Sequence, residues 1–410
     1  MMAGCARWWI VVRFALALAL VQHGHAIAQP VPARPHSLEF SLPTTDGKAT
    51  LAGQIDFPVD LPGKAPLVML VPGTGLFDRK ALFGWSGTDR DFVFEDLKND
   101  LVAAGLAVLR FDLRGVRCTP RDLQYSDAAD QDSRNALFIK TCIDNAVRKT
   151  VTPQTQMDDV AVVLAFGLRQ PNVDAQSSVI LAHSEGALHA AKLLQTAPGL
   201  VKGVVIFGPI LASPVATVQW QMTDRVDKAM RALKRKPGNL TVDDIRAGYD
   251  RSILSGLGPI ELFLPPHGAW TEQELDKLQA DRIQHYESGK RDVLAYDDDE
   301  PFPSPTPVVQ ASFAWWKMFF ADTLPVAERF ADFPGPVHCV FGGSDSQTDY
   351  QFQRRSLDPL RPEQRARFVI KLFEGYGHTL GEHFLVGPIA PKAKAYLVET
   401  VGRVARGLQQ

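Results

Sequence analysis

Apolar and polar positions alternate through residues 36–44 and again through 49–58, on either side of Thr45-Asp46-Gly47-Lys48. Alternation around an Asp-Gly pair predicts a β-hairpin with one buried face. The pattern then changes. Residues 66–73 (PLVMLVPG) are continuously apolar, as a strand covered on both faces must be. Residues 91–105 return to helical spacing and close on Gly105, a C-cap signal. A second apolar run at 106–115 (LAVLRFDLRG) predicts another buried strand. From 116 to 156 the chain is polar and irregular, with one helix expected around 136–147. Regularity resumes with a helix at 157–170, a strand at 177–184, a helix directly after it and a strand at 201–210. Between 213 and 334 only helical patterns recur, at 226–235, 271–287 and 311–320, with no convincing buried strand. Strand patterning returns at 335–343 and 366–375, and a helix closes the chain at 390–408.

Strands separated by helices imply an α/β fold, a mostly parallel sheet with helices on both faces. The expectation is eight strands, an antiparallel hairpin at one edge, and a helical insertion, 213–334, after the sixth. The core then comprises 29–212 and 335–410, with a polar excursion at 116–156. The 410 residues and 45% apolar content are sufficient for this core. A net charge of −2 gives no sign of nucleic-acid or anionic-membrane binding.

The start of the chain reads as a targeting segment. Arg7 precedes residues 8–21, which are apolar apart from Arg13, and Ala26 and Ala28 form a small-x-small site. Cleavage after Ala28 would leave Gln29 first and send the protein to a periplasmic or secreted location; an uncleaved anchor is the alternative. After cleavage no stable membrane association is expected. Export makes the four cysteines interpretable. Cys5 lies in the targeting segment, Cys339 sits in an apolar run as a buried free thiol, and Cys118 and Cys142 are left to form a disulfide across the polar excursion. Closing a loop of that length contributes roughly 3 kcal/mol in the chain-entropy picture. No cysteine–histidine spacing fits a zinc site, and no metal or cofactor is expected. The acidic, proline-rich tract 295–307 reads as an extended solvated linker.

One junction is unusual. The apolar run 179–182 ends almost directly in Ser184, Gly186 follows, and a helix pattern starts at once. So tight a turn pushes the serine out at the end of a buried strand. The ordering of strands, with this serine after the fifth, resembles the α/β-hydrolase fold over nearly the whole mature chain outside the insertions. That family carries Gly-x-Ser-x-Gly at the turn. Here it reads Ala182-His183-Ser184-Glu185-Gly186, with alanine as the smallest replacement for the first glycine.

The resemblance implies the rest of the site. A serine hydroxyl needs a base, and the base needs an orienting acid. His378, between Gly375-Tyr376-Gly377 and Thr379 after the last strand, is the expected base, with His383 its competitor. Asp345, three residues beyond Gly342 after the seventh strand, is the expected acid; Asp349 fits better as a helix N-cap. The oxyanion donors implied are the backbone N–H groups of Glu185 and Thr74, the latter in a loop (Gly73, Gly75, Asp78, Arg79) similar to that of some bacterial carboxylesterases of this fold. Asp112 and Arg114 read as structural braces. The insertion is expected to cap the serine, with Trp315, Trp316 and Phe319 as candidate pocket walls. The function implied is an exported carboxylesterase for small to medium apolar esters, of unknown oligomeric state. A serine peptidase and a non-catalytic binding protein on the same fold are the alternatives.

Overall fold

The structure is a computed structural model. It describes residues 36–410 apart from 60–61, 85–87, 124–130, 235–236, 251–257, 299–311, 383–384 and 409–410. The targeting segment, His383 and most of the acidic tract therefore lie outside the described residues.

All eight expected strands form one sheet: β1 (Ser37–Pro43), β2 (Thr50–Asp56), β3 (Ala65–Val71), β4 (Ala107–Phe111), β5 (Val173–His183), β6 (Gly203–Phe207), β7 (Val337–Gly342) and β8 (Phe368–Phe373). Their spatial order is β1-β2-β4-β3-β5-β6-β7-β8. The β1/β2 and β2/β4 pairs are antiparallel and the others parallel. Strand β3 shows why its sequence is continuously apolar. Leu67, Met69 and Val71 face a layer containing Val160, Val163 and Leu164 of helix Pro153–Leu168 and Leu188 of helix Gly186–Thr196. Val68 and Leu70 face the opposite layer, with Phe94 and Leu97 of helix Val93–Ala103 and Leu397 and Val401 of helix Pro391–Ala405. A strand buried on both sides leaves no position for alternation.

Strand β5 begins earlier than its pattern implied. Residues 173–176 also belong to it, and its register with β3 shifts between Pro66 and Val68. The Ser178 hydroxyl is satisfied internally by the carbonyls of Ala175 and Leu200, both at 3.0 Å. A bulged, back-bonded segment can be polar and still pair.

The excursion 116–156 departs from expectation in two respects: the one helix expected around 136–147 is instead Gln131–Cys142 followed by a separate turn of helix, Asn145–Arg148, and the helix expected from 157 already begins at Pro153. The sequence of the excursion reads as polar and irregular, yet Val116, Phe138, Cys142 and Ile143 gather into a small core against Leu76 and Leu113. Cys118 and Cys142 are joined by a disulfide, with their Cα atoms 5.0 Å apart. The backbone adds Arg117 N–H to Cys142 O and Asp144 N–H to Gly115 O, each 2.8 Å. Cys339 is buried as a free thiol in β7, and burial pushes its pKa up.

The segment 213–334 contains helices Pro214–Met222, Asp224–Ala232, Val242–Asp250, Glu272–Ala295 and Phe313–Ala321. It also holds a ladder of two residues on each side, Leu240–Thr241 with Ala269–Trp270, too short to carry a periodic signal. Met230, Leu233, Leu240, Ile245, Phe263 and Leu275 form a separate core there. Among the described residues no helix is long and apolar enough to cross a membrane.

Candidate active site

Strand β5 ends at His183 and the next helix starts at Gly186, so Ser184 and Glu185 make up the whole turn. Ser184 has φ +53°, in the left-handed region. A residue with a Cβ is held there at a cost of order 1 kcal/mol or more, and such strain gathers at functional sites. The neighbouring residues are small because the turn leaves no room. A Cβ on Gly186 would sit 2.6 Å from the carbonyl oxygen of Val71, and one on Gly73 would sit 2.7 Å from the Ser184 Cβ. Ala182, where the family pattern has glycine, fits fully buried, in register between Val71 of β3 and Ile206 of β6. The Ser184 N–H donates to Phe207 O at 3.2 Å, and Ser184 O accepts from Ala187 N–H at 3.0 Å.

His378 lies in the loop after β8, and its Nδ1 is 2.9 Å from Asp345 Oδ2. With Nδ1–H donating to a carboxylate, the Nε2 lone pair is left to act as base. Asp345 follows β7 and is well supplied with donors: Gln347 N–H at 2.7 Å, Thr348 N–H at 2.9 Å and the Thr348 hydroxyl at 2.7 Å. Burial alone would push the Asp345 carboxyl up, but His378 beside it and the Thr348 donors hold it below the usual carboxylate range. Asp349 does something else. It caps helix Tyr350–Arg354 through Phe352 N–H at 2.9 Å and pairs with Lys228.

Three contributors to the site were not picked out from the sequence. The His183 ring lies between His378, at 4.7 Å between centroids, and Phe207 and Phe83, at 4.6 and 4.8 Å. Burial pushes the His183 pKa well down, so this ring packs against His378 in its neutral form. Gly208, with φ +56°, lies under the base: a Cβ there would come within 2.6 Å of His378 O and 2.9 Å of its ring. Thr348 sits 3.3 Å from His378 Nδ1 while bonding Asp345, so it braces both. His183 occupies the first variable position of the serine motif, a usable signal; Gly208 and Thr348 carry none.

The two expected oxyanion donors come from separate loops. Thr74 follows β3, and Glu185 stands at the start of helix Gly186–Thr196. Neither backbone N–H makes a hydrogen bond among the described residues. The Thr74 hydroxyl donates to the Glu185 carboxyl, which is fully buried and pushed up to about 7 by that burial. The loop after Thr74 is braced as expected. Arg79 holds Asp112 through Nε at 3.1 Å and through a terminal nitrogen at 2.7 Å. Arg114, itself buried, pairs with Asp159 through two bonds of 2.9 and 2.7 Å and reaches Asp46 at 2.6 Å. Asp112 and Arg114 thus tie the segment after β4 to the loop after β3, to helix Pro153–Leu168 and to the turn between β1 and β2.

Trp315, Trp316 and Phe319 are 4%, 5% and 3% exposed and belong to the main hydrophobic core. Trp315 stacks on Phe319 at 4.4 Å, and its Nε1–H donates to Gln156 Oε1 at 2.9 Å. These contacts describe packing of their helix on Pro153–Leu168, whereas the ring contact of His378 runs to His183. Among the described residues no group of three or more His, Cys, Asp or Glu side chains is placed to hold a metal ion.

A serine in a strained turn, a buried Asp–His pair and an eight-stranded sheet of this order define a hydrolase class. The model of the alpha/beta hydrolase family matches residues 68–385, and the chain belongs to that family. Solved structures with a similar fold include Est1E from Butyrivibrio proteoclasticus, at 13% identity and TM-score 0.47, covering 90% of this chain and 98% of that one. Others are a monoacylglycerol lipase from Paleococcus ferrophilus (17%, TM-score 0.42, 83% and 96%) and a proline iminopeptidase from Mycobacterium smegmatis (15%, TM-score 0.46, 91% and 100%). A search of curated proteins finds no match.

Proposed function

We propose that this chain is a serine hydrolase that cleaves carboxylic esters through an acyl-enzyme. The observation that carries the reading is the Asp345–His378 hydrogen bond of 2.9 Å at the loop beside the Ser184 turn. Ser184 Oγ attacks the ester carbonyl as His378 Nε2 takes its proton. Asp345 stabilises the imidazolium so formed. The N–H groups of Thr74 and Glu185 receive the developing oxyanion. The proton returns to the departing alkoxide, and water, activated by the same imidazole, releases the acid. An uncharged ester needs no fixed positive charge beside the serine, whereas a peptide carboxyl end would, and among the described residues no arginine or lysine is bonded to Glu185 or Asp345.

The insertion 213–334 acts as a cap in this reading. Its support is a set of bonds from the insertion to the loop carrying the acid: Gln221 Nε2 to Gln347 O at 2.9 Å, Arg225 to Gln347 Oε1 at 2.7 Å, and Lys228 to Asp349. Export is proposed from the apolar start, the Ala26/Ala28 site and the disulfide; protein from its host should begin at or near Gln29. Labelling with a fluorophosphonate tests the chemistry. Wild-type protein should be labelled on Ser184 and Ser184→Ala should not, with ester turnover lost by several orders of magnitude. Faster hydrolysis of amino-acyl arylamides than of aryl esters would move the assignment to a peptidase. Unlabelled protein without turnover would leave a binding role.

A further inference from the structure

The two residues proposed as backbone oxyanion donors, Thr74 and Glu185, are bonded to each other through their side chains. The Thr74 hydroxyl donates to Glu185 Oε2 across 111 positions of sequence. Thr74 has little else to hold it. It lies outside β3, between Gly73 and Gly75, and Gly75 has φ +145°, a conformation that other residues rarely adopt. A glycine on each side makes this backbone permissive. Glu185, by contrast, is fixed at the start of a buried helix and is 0% exposed. Its second oxygen, Oε1, is buried without a hydrogen-bond partner among the described residues, 3.7 Å from His189 Nε2 one turn along. No arginine or lysine is bonded to the Glu185 carboxyl among the described residues; Lys192, the cation on the same helix, pairs with Asp322 instead, at 3.1 Å. A carboxyl at this position is costly for packing alone, where an apolar side chain would cost less.

We propose that the Glu185 side chain is a positioning residue for the oxyanion hole: by holding the Thr74 hydroxyl, it sets the spacing at which the Thr74 and Glu185 N–H groups converge on one oxygen. The inference rests on the acyl-transfer reading of the site. Donors aimed in advance at the developing charge supply much of the rate enhancement in such centres, and small misplacements are expensive. The loop after β3 brings one donor and helix Gly186–Thr196 the other, and the side-chain link joins the two residues.

The test uses kcat and KM for an aryl ester in Thr74→Val, Glu185→Ala, Glu185→Gln and the Thr74→Val/Glu185→Ala double variant. Thr74→Val keeps the shape of a half-buried side chain and should fold normally. Each of Thr74→Val and Glu185→Ala should lower kcat about 10- to 100-fold while KM stays within about threefold, because the loss falls on the transition state. The double variant should lie within about threefold of the worse single variant, since both remove the same bond. Glu185→Gln retains a carbonyl acceptor and should recover about tenfold of the kcat lost in Glu185→Ala. Multiplying losses in the double variant, an unchanged kcat in Thr74→Val, or losses confined to KM would each overturn the proposal. Fluorophosphonate labelling of the wild-type protein separates the two readings. With Ser184 labelled and the losses multiplying, only the positioning role fails; without labelling, the acyl-transfer reading fails and takes this one with it.

Discussion

Glu185 gives a prediction about stability that is independent of turnover. Its carboxyl is fully buried, and burial moves its pKa from an ordinary 4.5 to about 7. The Thr74 hydroxyl and the charge of Lys192 both act in the other direction, and burial outweighs them. His189, whose Nε2 lies 3.7 Å from Glu185 Oε1, is itself pushed down to about 3 by burial, so it is neutral here and forms no ion pair with Glu185. An acid with a raised folded-state pKa binds its proton more tightly when folded. Its contribution is fully present below the unfolded value near 4.5 and is lost as pH rises through about 7. At about 1.4 kcal/mol for each pH unit between those values, the loss is about 3 kcal/mol. Glu185→Gln cannot ionise and keeps an acceptor for Thr74. The variant should therefore gain about 3 kcal/mol relative to wild type between pH 4 and pH 8. With an unfolding entropy of about 2.1 cal/mol/K per residue, that corresponds to a relative Tm shift of about 4 °C for a chain of this size. Differential scanning calorimetry at one scan rate across that pH range reads it directly. Parallel Tm curves for the two proteins would show that Glu185 does not carry a raised pKa, and the picture of a buried carboxyl beside the serine would be wrong.

Other outcomes follow from the same geometry. Asp345→Asn should lower kcat by about 10³- to 10⁴-fold, because the amide no longer fixes the imidazole tautomer. Asp349→Asn, at an N-cap, should cost only about 1 kcal/mol of stability or less, measured by denaturant titration. Gly208→Ala should lower both Tm and kcat, since its Cβ would meet His378 O at 2.6 Å and its φ is +56°; normal activity would mean that the base loop does not rest on this residue. Replacing Cys118 and Cys142 by serine should lower stability by about 3 kcal/mol with a smaller effect on kcat, and a non-reduced digest should show the two cysteines in one disulfide-linked pair.

The sheet was legible because its strands are buried on both faces. Residues 66–73 and 203–210 are apolar throughout and 335–343 are so apart from His338, and helices between them leave few ways to connect the strands. The extra length of β5 was hidden by its own chemistry: Ser178 is polar yet satisfied by two carbonyls, so composition argued for a loop where a bulged strand continues. The small core around the disulfide was hidden for a related reason. Val116, Phe138 and Ile143 are too far apart in sequence to form a periodic stripe, and only the fold and the Cys118–Cys142 bond bring them together.

The candidate site divides along the same line. Ser184, Asp345 and His378 stand at strand ends where a local motif or a spacing from glycine identifies them. What holds them is non-local. Gly208 is one glycine among 31 until the His378 loop is laid on it, and Thr348 is an ordinary threonine until its hydroxyl reaches Asp345. Glu185 belongs to both classes. Its position after the serine nominates its backbone N–H, while the motif carries no signal for its side chain. A carboxylate directly after a buried nucleophile conflicts with local expectation, since an apolar residue would pack there at less cost. Such a conflict between burial and charge is where a sequence points to function rather than to fold. At Glu185 the structure supplies the partner, the Thr74 hydroxyl, that gives the conflict a physical reason.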